Sequence, residues 1–583
     1  MRVLLFILAL ALPATAQDKS TCRCCDLGRI YAPYLKKLPA PKKRDDIGNS
    51  HLKVTTQSES AQEWFDQGLN LLHSFWEFEA YRCFLQAAKE DPDCAMAYWG
   101  ICMSLPGKNA ESTVERQIAL QKAKDLAADS TLKLTEHEQL YIEMVNSLVK
   151  KGSRATIPSL RRIIKKFPDD VDAIAFLSLW LRDGYKTSST GKGAAKPGTA
   201  EAVKLLQEAL KKHPQHTGLN HYYIHVLEQG PDFEQARAAA LALPNAAPGA
   251  GHLVHMPGHI YYLAGEYEKA CQAYRDCHKV EIAYLKAEAI PAVDNNNYLR
   301  NLHFIAFAAS DQGKYTEALQ AAAMLREVKV PVNRVKAIGA HQTYYLSSTV
   351  TALVHMRAGH YDLAAASLLP DAVPKTSAAS HYILFLRSYC RLRHAFTHPE
   401  ETNNAEIIRR EKLGLNRHLT ALKEANPGTS FESQSWAQAY TSCEILLSEA
   451  RAWIDNSTPN STPNKPFKKT WASIAIRDYN RSGYTEPPLL ITPVEESLGW
   501  LALHAGHPEQ ARKYFEASLL QRRQSGHAYL GIARSYRREN KATKATLFYK
   551  KFLEAFLEAD KGLKQIEEAR NFIAEHAEKQ DDQ

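Results

Sequence analysis

The chain is predicted to be all-α, a solenoid built from stacked helix pairs. Apolar residues recur at three- and four-residue spacing through most segments, while strand-like alternation is scarce. Small and aromatic landmarks return with a period of about 34 residues. Of 583 residues, 45% are apolar and 23% charged, with 27 Gly and 27 Pro, which excludes a disordered or collagen-like chain and leaves ample apolar material for many stacked units.

The elements follow in order. Met1-Arg2 is a short positive start, followed by an apolar run from Val3 to Leu12 and by Pro13-Ala14-Thr15-Ala16. This reads as a secretory signal peptide over 1–16, too short to span a bilayer. The expectation is therefore a secreted or periplasmic protein with no membrane span after cleavage. Residues 17–60 form an arm that carries Cys22, Cys24 and Cys25. That cluster suits a disulfide, free thiols or a soft metal, and it does not have zinc-knuckle spacing.

Residues 61–457 carry the repeats. Counted from Ala61, Gly68 falls at position 8, Ala80 at 20, Phe84 at 24, Ala87 at 27 and Pro92 at 32. These are the landmarks of the tetratricopeptide repeat (TPR), a helix-turn-helix unit whose copies stack into a right-handed superhelix. Small residues at 8 and 20 admit close helix approach, the aromatic at 24 fills the space between helices, and the proline ends the second helix. Counted from Gly251, Gly258, Tyr261, Ala270 and Tyr274 take positions 8, 11, 20 and 24; from Thr492, Gly499, Ala511 and Phe515 take 8, 20 and 24. Starts at Thr217 and Leu299 put Ala236 and Ala318 at position 20. A Gly/Ser/Lys-rich loop over 187–197, a linker over 458–470 and TPR-like helices over 471–575 complete the organisation.

The 23 histidines are unevenly spread. His221 and His225 share one helix face with Glu228, and His252, His255 and His259 share another. In repeat numbering His221, His225 and Glu228 are positions 5, 9 and 12; His252, His255 and His259 are 2, 5 and 9; His303 is 5 of the following unit. In this repeat such positions face the concave groove, so the six histidines and Glu228 are expected to converge there. Three or four imidazoles with a carboxylate suit Zn, Cu or Fe. Glu228 would orient a ligand imidazole or act as a base, the one catalytic candidate, in a metal-dependent hydrolase or oxidase. Asn220, Tyr223 and Tyr261 lie nearby. With them the same face reads equally as a metal-free groove for a protein, peptide or small ligand, or as a polar network that fixes helix orientation. His221-x-x-x-His225 is not a zincin motif, because Tyr222 stands where a glutamate is needed.

The stretches Phe65–Leu69, Asp91–Gly100, Gly218–His225 (GLNHYYIH), Gly249–Tyr261 (GAGHLVHMPGHIY), Asn301–Phe304 and Tyr484–Pro488 (YTEPP) carry a resemblance. Over roughly residues 60–560 the chain resembles a group of secreted or periplasmic TPR proteins to which no reaction is attached. The group reads Phe-Asn-His-acidic after its first helix, where this chain has Phe75-Trp76-Glu77-Phe78. The resemblance thus implies Glu77, or His73 at position 13, as a substitute ligand.

Other classes lack support. The net charge of +9 is mild for this length, and without local Lys/Arg clusters it is weak evidence for nucleic acid, so no nucleic-acid partner is expected. Ser347, Ser348 and Thr349 near His341 and His355 lack a nucleophile elbow. No dinucleotide fingerprint or phosphate-cradling loop occurs. Arg522-Arg523, Arg537-Arg538 and Lys541 make the C-terminal repeats basic, either as solvated faces or as a docking face for an acidic partner.

Overall fold

The computed structural model describes residues 38–105, 110–186, 193–331, 338–374, 377–401, 404–428, 432–457 and 466–577. The expected signal peptide, Cys22, Cys24 and Cys25, and most of the 187–197 loop and 458–470 linker lie outside them. Among the described residues the chain is all-α with no strand, only one isolated bridge between Tyr185 and Ala195. The helices are α1 Glu59–His73, α2 Glu77–Glu90, α3 Ala95–Ser104, α4 Ala110–Ala128, α5 Glu136–Lys151, α6 Ile157–Lys166, α7 Val171–Leu181, α8 Pro197–Lys212, α9 Thr217–Leu227, α10 Arg237–Ala246, α11 Gly251–Ala264 and α12 Tyr267–Glu288. They continue with α13 Asn296–Asp311, α14 Tyr315–Glu327, α15 Ile338–Ala358, α16 Tyr361–Ser367, α17 Ala378–Thr397, α18 Asn404–Glu424, α19 Ser433–Asn456, α20 Thr470–Ser482, α21 Val494–His504, α22 Pro508–Gln521, α23 Gly526–Arg538, α24 Ala542–Ala555 and α25 Lys564–Ala577. Consecutive helices pair and stack, a TPR-like α-solenoid.

Local chemistry starts and stops these helices. The Ser58 hydroxyl accepts from the Ala61 amide at the head of α1, and Thr135 and Glu138 form a reciprocal capping box on α5. Asp170 and Asn295 cap α7 and α13 in the same way. Gly265, at φ 82°, ends α11 in the left-handed conformation that a side chain would strain.

The repeat landmarks meet in space. A Cβ built on Gly68 would lie 2.7 Å from the Phe84 ring, and one on Gly100, in the next repeat, 2.2 Å from it. The Gly499–Phe515–Gly531 trio repeats this arrangement at 2.7 and 2.2 Å, and Gly258 meets Tyr274 at 2.2 Å. Each aromatic at position 24 is thus clasped where helix backbones come closest, which is why position 8 is Gly in these units.

Two tertiary features position the rest. The described part of the N-terminal arm lies along the early repeats: Asn70 Nδ2 donates to the Ser50 carbonyl at 2.9 Å and the Gly249 amide to the Asp46 carbonyl at 2.7 Å. The C-terminal repeats dock on the middle of the chain. Arg522 donates to Asp311 at 2.7 Å, 211 residues away in sequence, and the Asp560 amide donates to the Gly313 carbonyl at 3.1 Å. One core runs from Tyr345 to Ile532, with residues on both sides of the 458–470 segment. No described helix is long and apolar enough to cross a membrane.

Candidate metal centre

Helix α9 carries His221 and His225, with Glu228 at its C-cap, and α11 carries His252, His255 and His259. Stacking of these two first helices brings the rings of His225 and His259 to 6.0 Å and those of His221 and His252 to 5.0 Å. Two sets of ligand atoms lie within 4.8 Å of one another: His221, His225 and His252, and His225, Glu228 and His259. His225 belongs to both.

The expected open groove is corrected at this point. His221, His225 and Glu228 are 0% exposed, His259 1%, His255 4% and His252 7%, so the face is interior. Aromatic rings close it. Phe75, in the turn between α1 and α2, packs on His221 at 4.5 Å, His225 at 5.3 Å and His252 at 5.8 Å. It does so at φ 51°, a left-handed conformation that a bulky residue rarely adopts. Phe304, from α13, covers His255 at 4.5 Å and His259 at 5.2 Å.

Hydrogen bonds set the tautomers. His221 Nδ1 donates to the His73 carbonyl at 2.5 Å. The two oxygens of Glu228 accept from His225 Nδ1 and His259 Nδ1, each at 2.7 Å. His255 Nδ1 lies 2.9 Å from Asn301 Oδ1, and Asn301 Nδ2 donates to the Tyr274 carbonyl at 2.8 Å, which fixes that amide so that His255 must be the donor. With four Nδ1 atoms protonated, each of these Nε2 atoms carries a lone pair unless its ring takes a second proton. Yet His255 Nε2 and His259 Nε2 lie 2.7 Å apart. Two lone pairs repel at that distance, so a third proton lies between them, carried by His259 and donated to His255.

Electrostatics agree. Burial pushes the His255, His252, His221 and His225 imidazoles below their ordinary range, which keeps them neutral. For His259 burial acts in the same direction, but the Glu486 and Glu228 carboxylates outweigh it and hold the ring above its ordinary value. Burial also opposes ionisation of Glu228, yet its two imidazole partners hold it well below the carboxylate range.

The remaining expected site residues lie elsewhere. His303 lines a cavity of about 130 Å³ with Arg300 and Glu486, and burial drives its imidazole down to about 3. His73 is spent on other partners: Nε2 donates to Asp172 at 2.8 Å and Nδ1 accepts from the Tyr222 hydroxyl at 3.1 Å. It serves the cluster through its backbone carbonyl, as a positioning residue. Glu77 is the first residue of α2 and belongs to neither ligand set. Asn220 donates to the Pro214 and His216 carbonyls at 2.8 and 3.0 Å. Tyr223 accepts from Gln207 at 2.9 Å, and Tyr261 sits beneath Arg237 at 5.6 Å and Lys269 at 5.7 Å. Sequence reasoning missed Phe75, Asn301 and Glu486 as partners of this cluster, and Asp172 as the partner of His73. Glu486, 3.8 Å from His259, stands in the YTEPP stretch, the one signal that could have found it.

A family model for the tetratricopeptide repeat matches residues 497–559. No curated protein matches. Among solved structures the chain is similar to a human IFIT1 dimer with m7Gppp-AAAA, at 13% identity and TM-score 0.31, covering 87% of this chain and 92% of that one. It is similar to the P58(IPK) TPR domain at 14% identity and TM-score 0.18, covering 65% and 95%, and to Naa15/Naa10 bound to HypK-THB at 12% and 0.18, covering 89% and 92%. The expected membership of a secreted or periplasmic TPR group, and the expected secreted or periplasmic location, are corrected to what is supported, a distantly related TPR-like repeat region over residues 497–559.

Proposed function

We propose that this protein is a TPR-like solenoid that holds a buried transition-metal ion, Zn, Cu or Fe, between α9 and α11. The observation that carries this reading is the convergence of buried ligand atoms from two stacked helices, His221, His225 and His252, and His225, Glu228 and His259, each set within 4.8 Å. The candidate ligands are the all-imidazole set His221, His225 and His252, next to the set His225, Glu228 and His259, with His225 shared between them. Glu228 orients two of the rings from the outer shell, a role carboxylates commonly take beside metal-bound histidine. An all-imidazole donor set suits these three metals. Burial of every ring leaves no solvent-open face for a substrate, which supports a structural or storage metal over a hydrolase or oxidase.

The alternative, a metal-free scaffold that binds a protein, peptide or small ligand in a concave groove, is supported by the repeat architecture alone and stands second. Element analysis of protein purified without an affinity tag decides between them. A tightly bound Zn, Cu or Fe, lost in His225→Ala and His259→Ala, is expected. A metal-free protein whose melting is unchanged by added metal or chelator would overturn the reading.

A further inference from the structure

The C-terminal repeats dock against α15, α17 and α19 around a second cavity, far larger than the one at His303. Its volume is about 830 Å³, within the range of small-molecule sites. Five guanidiniums line it, from Arg357, Arg393, Arg534, Arg537 and Arg538, together with Trp453, Trp500, Tyr315 and Tyr361.

The charges do not balance. The acids at the wall are already committed: Glu496 binds Arg357 and accepts from Ser525 at 3.2 Å, and Glu568 binds Arg534 at 2.6 Å and Arg537 at 3.3 Å. Behind the wall Asp311 pairs with Arg357 at 2.8 Å and Arg522 at 2.7 Å, and Glu449 pairs with Arg393 at 2.7 Å. Five guanidiniums line the wall against two carboxylates, Glu496 and Glu568, and with Arg522, Asp311, Glu449 and Glu575 behind it the sum is six against five. Arg538 donates to the Leu503 carbonyl at 2.6 Å, a neutral acceptor. The lining histidines add no charge where burial lowers them, His527 to about 4 and His504 below its ordinary value. The hydrogen-bonding surplus has the same sense, since buried Trp453 Nε1 and Arg393 Nε have no acceptor among the described residues.

We infer that this cavity is a binding site for a small phosphate monoester whose organic part carries a flat ring. A phosphate monoester brings about −1.5 to −2 charges and three strong acceptors, which complement a wall rich in guanidinium donors. Planar guanidinium forks suit phosphate oxygens, and the indole and phenol rings supply apolar walls for a ring. The inference is independent of the metal reading, because no residue of the histidine cluster lines this cavity.

The test is calorimetric titration of the intact protein at fixed ionic strength with phenyl phosphate, inorganic phosphate and benzoate. Phenyl phosphate is expected to saturate one site, with the other two binding about tenfold or more weaker. Arg538→Gln, which keeps an amide donor for the Leu503 carbonyl, is expected to weaken phenyl phosphate by about tenfold, on the scale of one charge-assisted hydrogen bond. Arg537→Gln, at a half-exposed position where folding is not at stake, should act in the same direction. Arg161→Gln, at an exposed pair with Glu201 elsewhere, should leave binding unchanged. Non-saturable binding of phenyl phosphate, equal affinity in all three variants, or inorganic phosphate or benzoate binding as tightly as phenyl phosphate would each overturn the proposal.

Discussion

His255 Nε2 and His259 Nε2 face each other at 2.7 Å, one ring anchored through Nδ1 to Asn301 and the other to Glu228. The anchors matter as much as the contact. Without them one ring would switch tautomer and donate to the other, and the pair would be an ordinary neutral hydrogen bond. Asn301→Leu removes the acceptor for His255 Nδ1 and frees that switch. Metal affinity, read by competition with a chelator of known strength, is expected to fall about 10- to 100-fold, the usual cost of losing an outer-shell partner. Asn301→Asp, which still accepts, should retain most of the affinity.

Glu228 uses both oxygens on His225 and His259. Glu228→Gln keeps the size but presents a donor to one of the two Nδ1–H groups. Metal content after dialysis is expected to drop in this variant while helix content by circular dichroism is retained. Unchanged metal content would show that the outer-shell role is misassigned.

Position 8 of the repeats offers a paired comparison. Gly258→Ala and Gly499→Ala each place a methyl within 2.2 and 2.7 Å of an aromatic ring at position 24. Each is expected to cost about 1–3 kcal/mol by overpacking, seen as a lowered denaturation midpoint. Gly258 lies next to His259, so only its variant should also weaken metal binding.

Glu281 supplies a pH dependence. Burial raises its carboxyl to about 7, against the pull of Asn295 and Arg44. The folded state therefore holds a proton that the unfolded chain releases near its ordinary carboxylate value. This contribution to stability is complete below about pH 4.5 and is lost as pH rises toward 7, an effect of about 3 kcal/mol. Glu281→Gln removes the ionisable group, so its unfolding free energy should gain on that of the parent as pH rises from 5 to 8, the window between the ordinary carboxylate value and the raised one. A constant difference across that range would contradict the assignment.

Asp311 joins Tyr262, Arg357 and Arg522, each at 2.6–2.9 Å, and so ties α11, α13 and α15 to the C-terminal repeats. Asp311→Ala leaves two buried guanidiniums short of a carboxylate and is expected to cost about 3–5 kcal/mol. Limited proteolysis should then cleave first between α19 and α22, where the docked block is released.

Much of this architecture is legible in the sequence. Helix pairs over most of the chain, the Gly-at-8 and aromatic-at-24 contacts, and the two histidine-bearing first helices all follow from spacing, because helical periodicity and repeat stacking are local rules. The groove expectation failed for a reason that spacing does not carry. Phe75 reaches the histidines only because the α1–α2 turn takes a left-handed step, and nothing in the sequence Phe-Trp-Glu-Phe announces it.

The sequence by itself thus determined the architecture and which helix faces bear imidazoles. Only the tertiary structure decided that those faces are closed, which nitrogens keep their lone pairs, and that arginines from α15, α17 and α23 share one cavity. Periodicity sets direction around a helix axis, whereas tautomers and charge balance depend on partners such as Asn301, 46 residues from His255, and Arg522, 211 from Asp311. Their distances come from how the solenoid closes on itself.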